Sequence, residues 1–385
     1  MRGAASVLDE DRLGWLALAL SPGLGPKRIV DAVAQLDAAS QVFTLPLTGL
    51  EALRFPAEAA QFIFDGKARA AAEQEWAAVA AQGATIVTYG CGDYPERLKE
   101  IYDPPPVLWV RRDARLLART AIAVVGTRHP SPYGTGVAEM LSRDLAARRL
   151  LVISGMARGI DSCAHRGALA ARMPTVAVWG TGIDVVYPKE NKKLAEDILA
   201  AGGAIVSELP TGTFPAPQNF PRRNRILSGL SVAVLVVEAG ENSGTRVTAR
   251  CASEQNRDLY AVPGNVTSKG SWTPNTLIKQ DAKLTATWED VWEDLPSQVR
   301  LELEAEAPGE SKLEMAASLL LEPVLRPKGA MVLEVLRSDA SLQIDEILEL
   351  LETQLTSSEV FTALFELEMA GRARSMPGKN YVRTM

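Results

Sequence analysis

A short segment of the chain combines an aromatic ring with a cluster of positive charge. Directly after Phe220 and Pro221 come three arginines within four residues, Arg222, Arg223 and Arg225. Single-stranded nucleic acid binds to such a combination, because guanidinium groups hold phosphates while a ring stacks on bases of any type. The segment therefore indicates a site for a single nucleic-acid strand.

The same arginines have a structural alternative. Arg222 and Arg225 are three residues apart and share one face of a predicted helix. We expect at least one of the three arginines to be buried against Glu208 or Glu238, where it would stabilise the fold. Because proline disfavours the helical conformation in the residue before it, we expect Phe220 to be extended and to lie outside the helix.

Turns that combine glycine with a hydroxyl or a cation recur after predicted strands. Glycine lets the backbone approach a ligand, N–H groups at a helix start favour an anion, and arginine or lysine can reach a phosphate. Each turn is a weak signal by itself, and together they form a specific one. The turns are Gly126-Thr127-Arg128, Ser154-Gly155-Met156-Ala157-Arg158, Gly180-Thr181-Gly182 with Lys189, and Ser243-Gly244-Thr245. Near the second turn, Asp161 is placed to cap a helix, and we expect His165 to be packed or capping rather than catalytic.

The elements that carry these turns are short β-branched runs separated mostly by amphipathic helical stretches. Strands that alternate with helices indicate a parallel sheet covered on both faces, in which ligands bind beyond the carboxyl ends of the strands. The predicted strands are Ala84–Thr88, Ile122–Gly126, Leu151–Ser154, Thr175–Trp179, Ala204–Ser207, Val232–Glu238 and Leu259–Val262.

Composition excludes several function classes. The chain has 47% apolar and 23% charged residues, which is typical of folded protein, and it lacks an apolar stretch of the length that a membrane helix needs. Two histidines, three separated cysteines and the absence of GxxxxGK[ST] or a strand-linked GxGxxG argue against a metal site, a P-loop NTPase and a dinucleotide oxidoreductase. We therefore expect a reduced, cytoplasmic protein without cofactor or metal.

Charge is distributed unevenly along the chain. The net charge is −6, but residues 111–283 carry a net charge of +9 and the remainder carries −15. A basic middle between acidic ends suggests that the centre binds a polyanion. The alternative is that arginine-rich helices merely keep this part soluble.

Four segments are predicted. Residues 1–80 read as a helical domain, 81–296 as the α/β domain and 297–326 as a glutamate-rich linker. Residues 327–385 show three helices followed by two short strands around Pro377-Gly378, which is the outline of a winged helix. In the first segment, the turn from Ser21 to Lys27 is typical either of a DNA-binding helix-hairpin-helix, with Lys27 or Arg28 near a phosphate, or of a plain helical connection.

These motifs resemble the bacterial DNA-processing protein A family, DprA, also called Smf. The resemblance is dense from about residue 90 to residue 285. It rests on the turns above together with Tyr94-Pro95, Pro105-Pro106-Val107-Leu108, Tyr133-Gly134, Tyr187-Pro188, Phe220-Pro221-Arg222-Arg223-Asn224-Arg225, Glu238-Ala239 and Val262-Pro263-Gly264. The N-terminal helices are similar to the family's SAM-like domain and the C-terminus to its winged-helix domain.

The resemblance implies an extended Rossmann-like domain that binds single-stranded DNA without sequence preference. It also implies a homodimer that protects incoming DNA and loads the RecA recombinase during natural transformation and recombination. The leading DNA contacts carried over by position are Arg128, Lys189, Phe220, Arg222 and Arg223, followed by the 243–245 turn, with Ser154, Gly155, Arg158 and Arg225 as further candidates. The chain departs from the family at Trp272-Thr273-Pro274-Asn275 and at Asp281, so contacts near Asn275 are the least certain to carry over.

Two other functions are compatible with the sequence. A nucleotide-hydrolysing enzyme on a similar sheet would need a carboxylate in the pocket as nucleophile or base, and Glu208 and Glu238 are the candidates at strand ends. An adaptor that binds other proteins through its acidic ends is the third reading, and it is compatible with DNA binding.

Overall fold

The structure is a computed structural model that describes residues 2–305, 327–352, 354–369 and 371–384. The chain begins with a helical region that packs on the central sheet. Leu16, Ile29 and Leu50 form a core that continues into Trp109 and Trp179 of the sheet, so helices and sheet share one apolar interior. The helices are α1 (Arg2–Leu20), α2 (Pro26–Val33), α3 (Leu47–Ala52), α4 (Ala57–Phe64) and α5 (Lys67–Ala81), with a 3-10 turn at Ala39–Phe43.

A nine-stranded sheet forms the centre of the chain, in the order β1-β2-β6-β5-β4-β3-β7-β8-β9. All seven predicted strands are present, with bounds that differ by at most two residues at either end. The strands are β1 (Ala84–Thr88), β2 (Val107–Arg111), β3 (Ala121–Val125), β4 (Leu151–Ser154), β5 (Thr175–Val178), β6 (Ala204–Ser207), β7 (Ala233–Val236), β8 (Asp258–Ala261) and β9 (Lys283–Leu284).

Two strands depart from the all-parallel sheet that the sequence predicts. Strand β2 runs antiparallel to β6, with Trp109 opposite Ser207, and β1 runs antiparallel to β2, with Thr88 opposite Val107. The remaining strands, from β6 through β9, are parallel. The start of β2 and the loop before it therefore lie at the same edge as the carboxyl ends of the parallel strands.

Helices cover both faces of the sheet. Ile226 and Leu230 of α10 and Ala249 of α11 pack on one face, while Leu141 of α7 and Ile160 of α8 pack on the other. The helices of this part are α6 (Glu96–Lys99), α7 (Pro132–Ala147), α8 (Ile160–Ala170), α9 (Lys192–Ala200), α10 (Asn219–Leu230), α11 (Thr245–Glu254), α12 (Trp272–Lys279), α13 (Glu289–Trp292) and α14 (Ser297–Ala305), with 3-10 turns at Ala114–Ala118, Lys189–Asn191 and Lys269–Ser271.

The C-terminal part has the predicted outline of three helices and a hairpin. Val332, Ile347 and Leu364 form its own core, and a short strand before the second helix pairs with the hairpin. The elements are α15 (Pro327–Val335), β10 (Leu342–Gln343), α16 (Ile344–Leu351), α17 (Ser357–Met369), β11 (Ala373–Met376) and β12 (Asn380–Arg383). Of the expected linker, residues 297–305 form α14 with Leu303 buried, and residues 306–326 lie outside the described residues.

Candidate nucleic-acid interface

The loops at the carboxyl edge of the sheet enclose a cavity of 740 Å³, here called the edge pocket. It is open to solvent and is built by the segments that follow β3, β4, β5, β6 and β7. Of the twelve predicted site residues, six line it: Arg128, Phe220, Arg223, Ser243, Gly244 and Thr245. Sheet topology thus brings together turns that are more than a hundred residues apart in sequence.

Phe220 forms part of the wall of the edge pocket. Its ring is half-buried, lies 5.5 Å from the ring of Tyr187, and rests on Gly180, where a Cβ would come within 2.9 Å of the Phe220 Cδ1 atom. The expectation that Phe220 precedes the helix is wrong, because α10 begins at Asn219. Pro221 is tolerated there, since the first N–H groups of a helix have no intrahelical partner.

Arg128 provides an accessible cation next to this ring. It follows β3, its side chain is exposed, and its guanidinium carbon lies 5.9 Å from the centre of the Phe220 ring. A guanidinium in this position can bind the phosphate of a nucleotide while the ring stacks on its base. The two side chains can therefore contact both charged and aromatic parts of a nucleotide.

Arg223 is a buried part of the wall of the edge pocket. Its Nη1 atom donates to the carbonyl oxygen of Gly155 at 2.7 Å and to that of Val178, so it ties the ends of β4 and β5 together. Burial lowers its pKa to about 10, and the nearby Asp161 carboxylate opposes that shift. Gly155 has to be glycine here, because a Cβ would lie 2.5 Å from the guanidinium.

The other two arginines of the segment meet the same carboxylate. Arg225 is buried and bonds the buried Glu208 through Nη2, while its Nε atom lies 3.0 Å from Asp103. Arg222 is half exposed, with its Nε atom 3.4 Å from Glu208. The expectation that at least one arginine is buried against Glu208 is therefore confirmed. Burial raises the pKa of Glu208, and the two arginines oppose the rise.

Glu238 is engaged within the fold. Its carboxylate accepts hydrogen bonds from the backbone N–H and the hydroxyl of Ser131, whose own Oγ atom accepts from Gly134 N at the start of α7. A Cβ on Gly134 would come within 2.2 Å of a Glu238 oxygen. The carboxylate thus anchors the helix that follows the Arg128 loop.

The turn at residues 243–245 is held by its own hydroxyls. Ser243 Oγ accepts from Thr245 N at 3.2 Å and donates to Thr245 Oγ1 at 3.0 Å. Gly244 is exposed, and no atom of the chain lies within 4 Å of the position a Cβ would occupy. This leaves open backbone beside the edge pocket.

Six predicted residues lie outside the pocket wall, namely Arg222 and Arg225, described above, and Ser154, Gly155, Arg158 and Lys189. Ser154 is fully buried and donates to Val124 O at 2.7 Å, and Gly155 is buried under Arg223. Arg158 is exposed and forms a bidentate ion pair with Glu190, and Lys189 is exposed in the 3-10 turn after β5. These positions place two further cations at the same edge of the sheet.

The acidic and imidazole groups of the second turn have structural partners. Asp161 accepts from Ala157 N at 3.2 Å, and burial raises its pKa. His165 is completely buried with Nδ1 at 2.8 Å from Thr175 Oγ1, and burial lowers its pKa to about 3. Because the Thr175 hydroxyl donates to Val152 O, the imidazole must donate to it from Nδ1. The packed histidine is as the sequence predicts.

Sequence reasoning left several wall residues out of the predicted site. Tyr187, His129, Asn224 and Asn242 all line the edge pocket. Tyr187 belongs to a motif recognised in the sequence, but its contact with Phe220 involves a residue 33 positions away and could not be predicted. Among the described residues, no cluster of His, Cys, Asp or Glu is arranged to hold a metal ion. In the same part of the chain, no helix combines the length and apolar character needed to cross a membrane.

Two sequence families match the chain. The family described as DNA recombination-mediator protein A matches residues 85–296, and the DprA winged helix domain matches residues 320–379. Among curated relatives, Protein Smf of Escherichia coli is 40% identical over 290 residues, 75% of each chain. The DNA processing protein DprA of Bacillus subtilis is 40% identical over 223 residues, which cover 58% of this chain and 75% of that protein.

Solved structures agree with the sequence matches. The crystal structure of DNA processing protein A from Streptococcus pneumoniae is 30% identical, covers 74% of this chain and 98% of its own, and superposes with a TM-score of 0.65. That of Helicobacter pylori, reported for its single-stranded DNA binding mode, is 27% identical, covers 58% and 96%, and has a TM-score of 0.50. With its Rossmann-like sheet and winged helix, the chain belongs to the DNA recombination-mediator protein A family, whose members are named DprA or Smf.

Proposed function

We propose that the chain binds single-stranded DNA at the edge pocket without sequence preference. The observation that carries the proposal is the exposed Arg128 guanidinium 5.9 Å from the Phe220 ring, in a cavity large enough for a nucleotide. A ring stacks on any base, and a cation binds any phosphate, so neither contact selects a sequence. The single-stranded DNA binding of the Helicobacter pylori relative supports the same assignment.

Within this proposal the predicted residues divide by accessibility. Arg128, Phe220 and the 243–245 turn are the direct contacts, and the exposed cations Lys189, Arg158 and Arg222 hold phosphates around the opening. Ser154, Gly155 and Arg225 support the wall from behind, and Arg223 forms a buried part of it, since each of the four is bonded to a partner inside the fold.

We propose further that the function is not enzymatic. A hydrolase would need a carboxylate that is free to act as base or nucleophile. Glu208 is paired with Arg225 and Arg222, Glu238 holds the start of α7, and Asp161 accepts from the turn before α8. These contacts favour binding over the alternative of a nucleotide-hydrolysing enzyme.

The wider role is proposed from family membership. The chain would act in natural transformation and recombination as a cytoplasmic homodimer that protects incoming single strands and loads RecA. The expected limits are a helical domain to residue 80, a DNA-binding domain to 296, a linker to 326 and a winged helix beyond it. RecA filament formation on oligo-dT, compared with and without the chain, tests the loading role separately from binding.

Binding and catalysis are distinguished by two measurements on the wild-type chain. Fluorescence anisotropy with labelled oligo-dT, oligo-dC and oligo-dA should give similar affinities that weaken with added salt. Incubation with nucleoside monophosphates should release no free base or phosphate. Absence of oligonucleotide binding would refute the proposed function, and product release would establish the enzymatic alternative.

A further inference from the structure

Two exposed aromatic side chains flank the edge pocket, and each has a cation on its ring. Tyr102 is 80% exposed, and Lys27 Nζ lies 5.3 Å from the centre of its ring. Trp272 is 39% exposed, and the Arg246 guanidinium carbon also lies 5.3 Å from the centre of its ring. Isolated exposed aromatics are common on protein surfaces. Each of these two pairs presents a ring and a cation outside the pocket, the same combination that Phe220 and Arg128 present inside it.

Tyr102 belongs to the loop before β2, which packs along α10. The preceding residue, Ile101, lies beside Gly229 of that helix. The residue after Tyr102, Asp103, bonds Arg225 of α10, so the loop is fixed to the helix that carries Phe220. Lys27 lies in the first turn of α2 and brings the N-terminal helices to this loop. Its other contact is an exposed pair with Asp31 at 3.1 Å, which is weak.

Trp272 lies on the β7 and β8 side. It begins α12, and the neighbouring Thr273 donates through N and Oγ1 to Ala239 O and Gly240 O, at 3.0 and 2.7 Å. Gly240 lines the edge pocket just before the 243–245 turn, and Arg246 directly follows that turn. Trp272 is therefore attached to the rim of the pocket.

The outer aromatic–cation pairs are tied to segments that build the pocket. Tyr102 is tied to α10 through the ion pair of Asp103 with Arg225, and Trp272 is tied to the segment after β7 through the hydrogen bonds of Thr273. We propose that the single strand bound in the edge pocket continues in both directions, with bases stacking on Tyr102 and Trp272 and phosphates held by Lys27 and Arg246. This inference rests on the proposed function and extends it to a site of several nucleotides.

The choice of a nucleic-acid strand as occupant follows from charge and continuity. Lys27 and Arg246 are cationic, as are Arg128, Lys189 and Arg222 between them, which complements a phosphate backbone. The sequence predicted the turn at Ser21–Lys27 to be either a DNA-binding helix-hairpin-helix or a plain helical connection. The proposed phosphate contact of Lys27 favours the helix-hairpin-helix.

Oligonucleotide length separates the flanking contacts from the pocket. Anisotropy is measured with oligo-dT of about 4 and about 16 nucleotides on wild type, Tyr102→Ala, Trp272→Ala and the ring-conserving controls Tyr102→Phe and Trp272→Phe. Each alanine variant should weaken binding of the long oligonucleotide by about five- to 150-fold and leave the short one unchanged. The controls should bind both as wild type does. The Tyr102 variants and Trp272→Phe should melt like wild type, and Trp272→Ala, whose ring is 39% exposed, should still unfold cooperatively.

Other outcomes would refute either the proposed function or the extended site. Wild-type protein that binds neither oligonucleotide refutes the proposed function itself. Alanine variants that bind the long oligonucleotide like wild type, or that lose binding to both lengths equally, overturn the extended site while the pocket stands. If only one of the two alanine variants loses affinity for the long oligonucleotide alone, the inference that the strand continues from the pocket in both directions is overturned.

Discussion

Gly180 and Phe220 are in direct contact, and the glycine determines where the ring lies. A Cβ at residue 180 would stand 2.9 Å from the Phe220 Cδ1 atom, a distance that side-chain carbons do not adopt. The ring can lie this close to the backbone after β5 only because that position lacks a side chain. The same contact sets the ring 5.5 Å from Tyr187.

Gly180→Ala tests this relationship. The added methyl should displace the Phe220 ring and remove part of the roughly 1–3 kcal/mol that a stacked base contributes. Because Phe220 is half-exposed, the melting temperature should change little. In the Gly180→Ala/Phe220→Ala double variant, the alanine at 180 should add almost nothing to the loss of oligo-dT affinity. Full additivity of the two losses would show that Gly180 acts independently of the ring.

Arg128→Ala should reduce the salt dependence of binding. One phosphate contact fewer flattens the slope of log K against log[salt] by ~0.7 for a single strand. Arg115→Ala is the matched control, since Arg115 is also an exposed arginine, with 82% of its side chain accessible, but lies beyond the opposite end of β2. The slope measured for the Arg115→Ala protein should equal that of wild type. Equal slopes for all three proteins would remove Arg128 from the interface.

Alanine variants of Arg222 and Arg225 should differ in their effects, the first on DNA binding and the second on stability. Arg225→Ala leaves the buried Glu208 without its main partner and should cost about 3–5 kcal/mol in the free energy of unfolding. Arg222→Ala removes a half-exposed cation, so denaturant unfolding should change little while oligo-dT binding weakens. Denaturant titration and anisotropy on both variants check this, and a stable Arg225→Ala protein would contradict the structural role.

His165 should make stability fall in acid. Its pKa is about 3 in the folded chain and 6.5 in the unfolded one, so between these values the unfolded state binds the extra proton. The free energy of unfolding should therefore decrease as pH falls from 6.5 toward 3, by up to about 1.4 kcal/mol per pH unit from this group. His165→Gln removes the titration, and its pH slope in that window should be shallower. Identical slopes would show that other groups account for the acid sensitivity.

The sequence allowed the fold to be predicted where local patterns determine it. The β-branched runs, the winged-helix outline and the packed His165 were all accessible from composition and spacing. The direction of β2 was not, because an antiparallel partner such as Ser207 for Trp109 is chosen by the assembled sheet. The start of α10 was missed because one proline signal outweighed the tolerance of a first turn for proline.

The turns that form the site could be predicted from the sequence. Which of its side chains are exposed and which are buried could not. Arg222, Arg223 and Arg225 are adjacent and chemically identical, yet one is half-exposed and two are buried. What distinguishes Arg223 is a pair of carbonyl groups 68 and 45 residues away, at Gly155 and Val178. Only the packed structure brings such partners together.

The affinity of Phe220 variants for oligo-dT shows whether this ring stacks on a base of the bound strand. Phe220→Ala should weaken binding by about five- to 150-fold, while Phe220→Tyr keeps most of it, because a stacked ring is lost in one and conserved in the other. The salt slope should barely move, since no phosphate contact is removed. A Phe220→Ala protein that melts like wild type and binds oligo-dT with wild-type affinity would contradict the account.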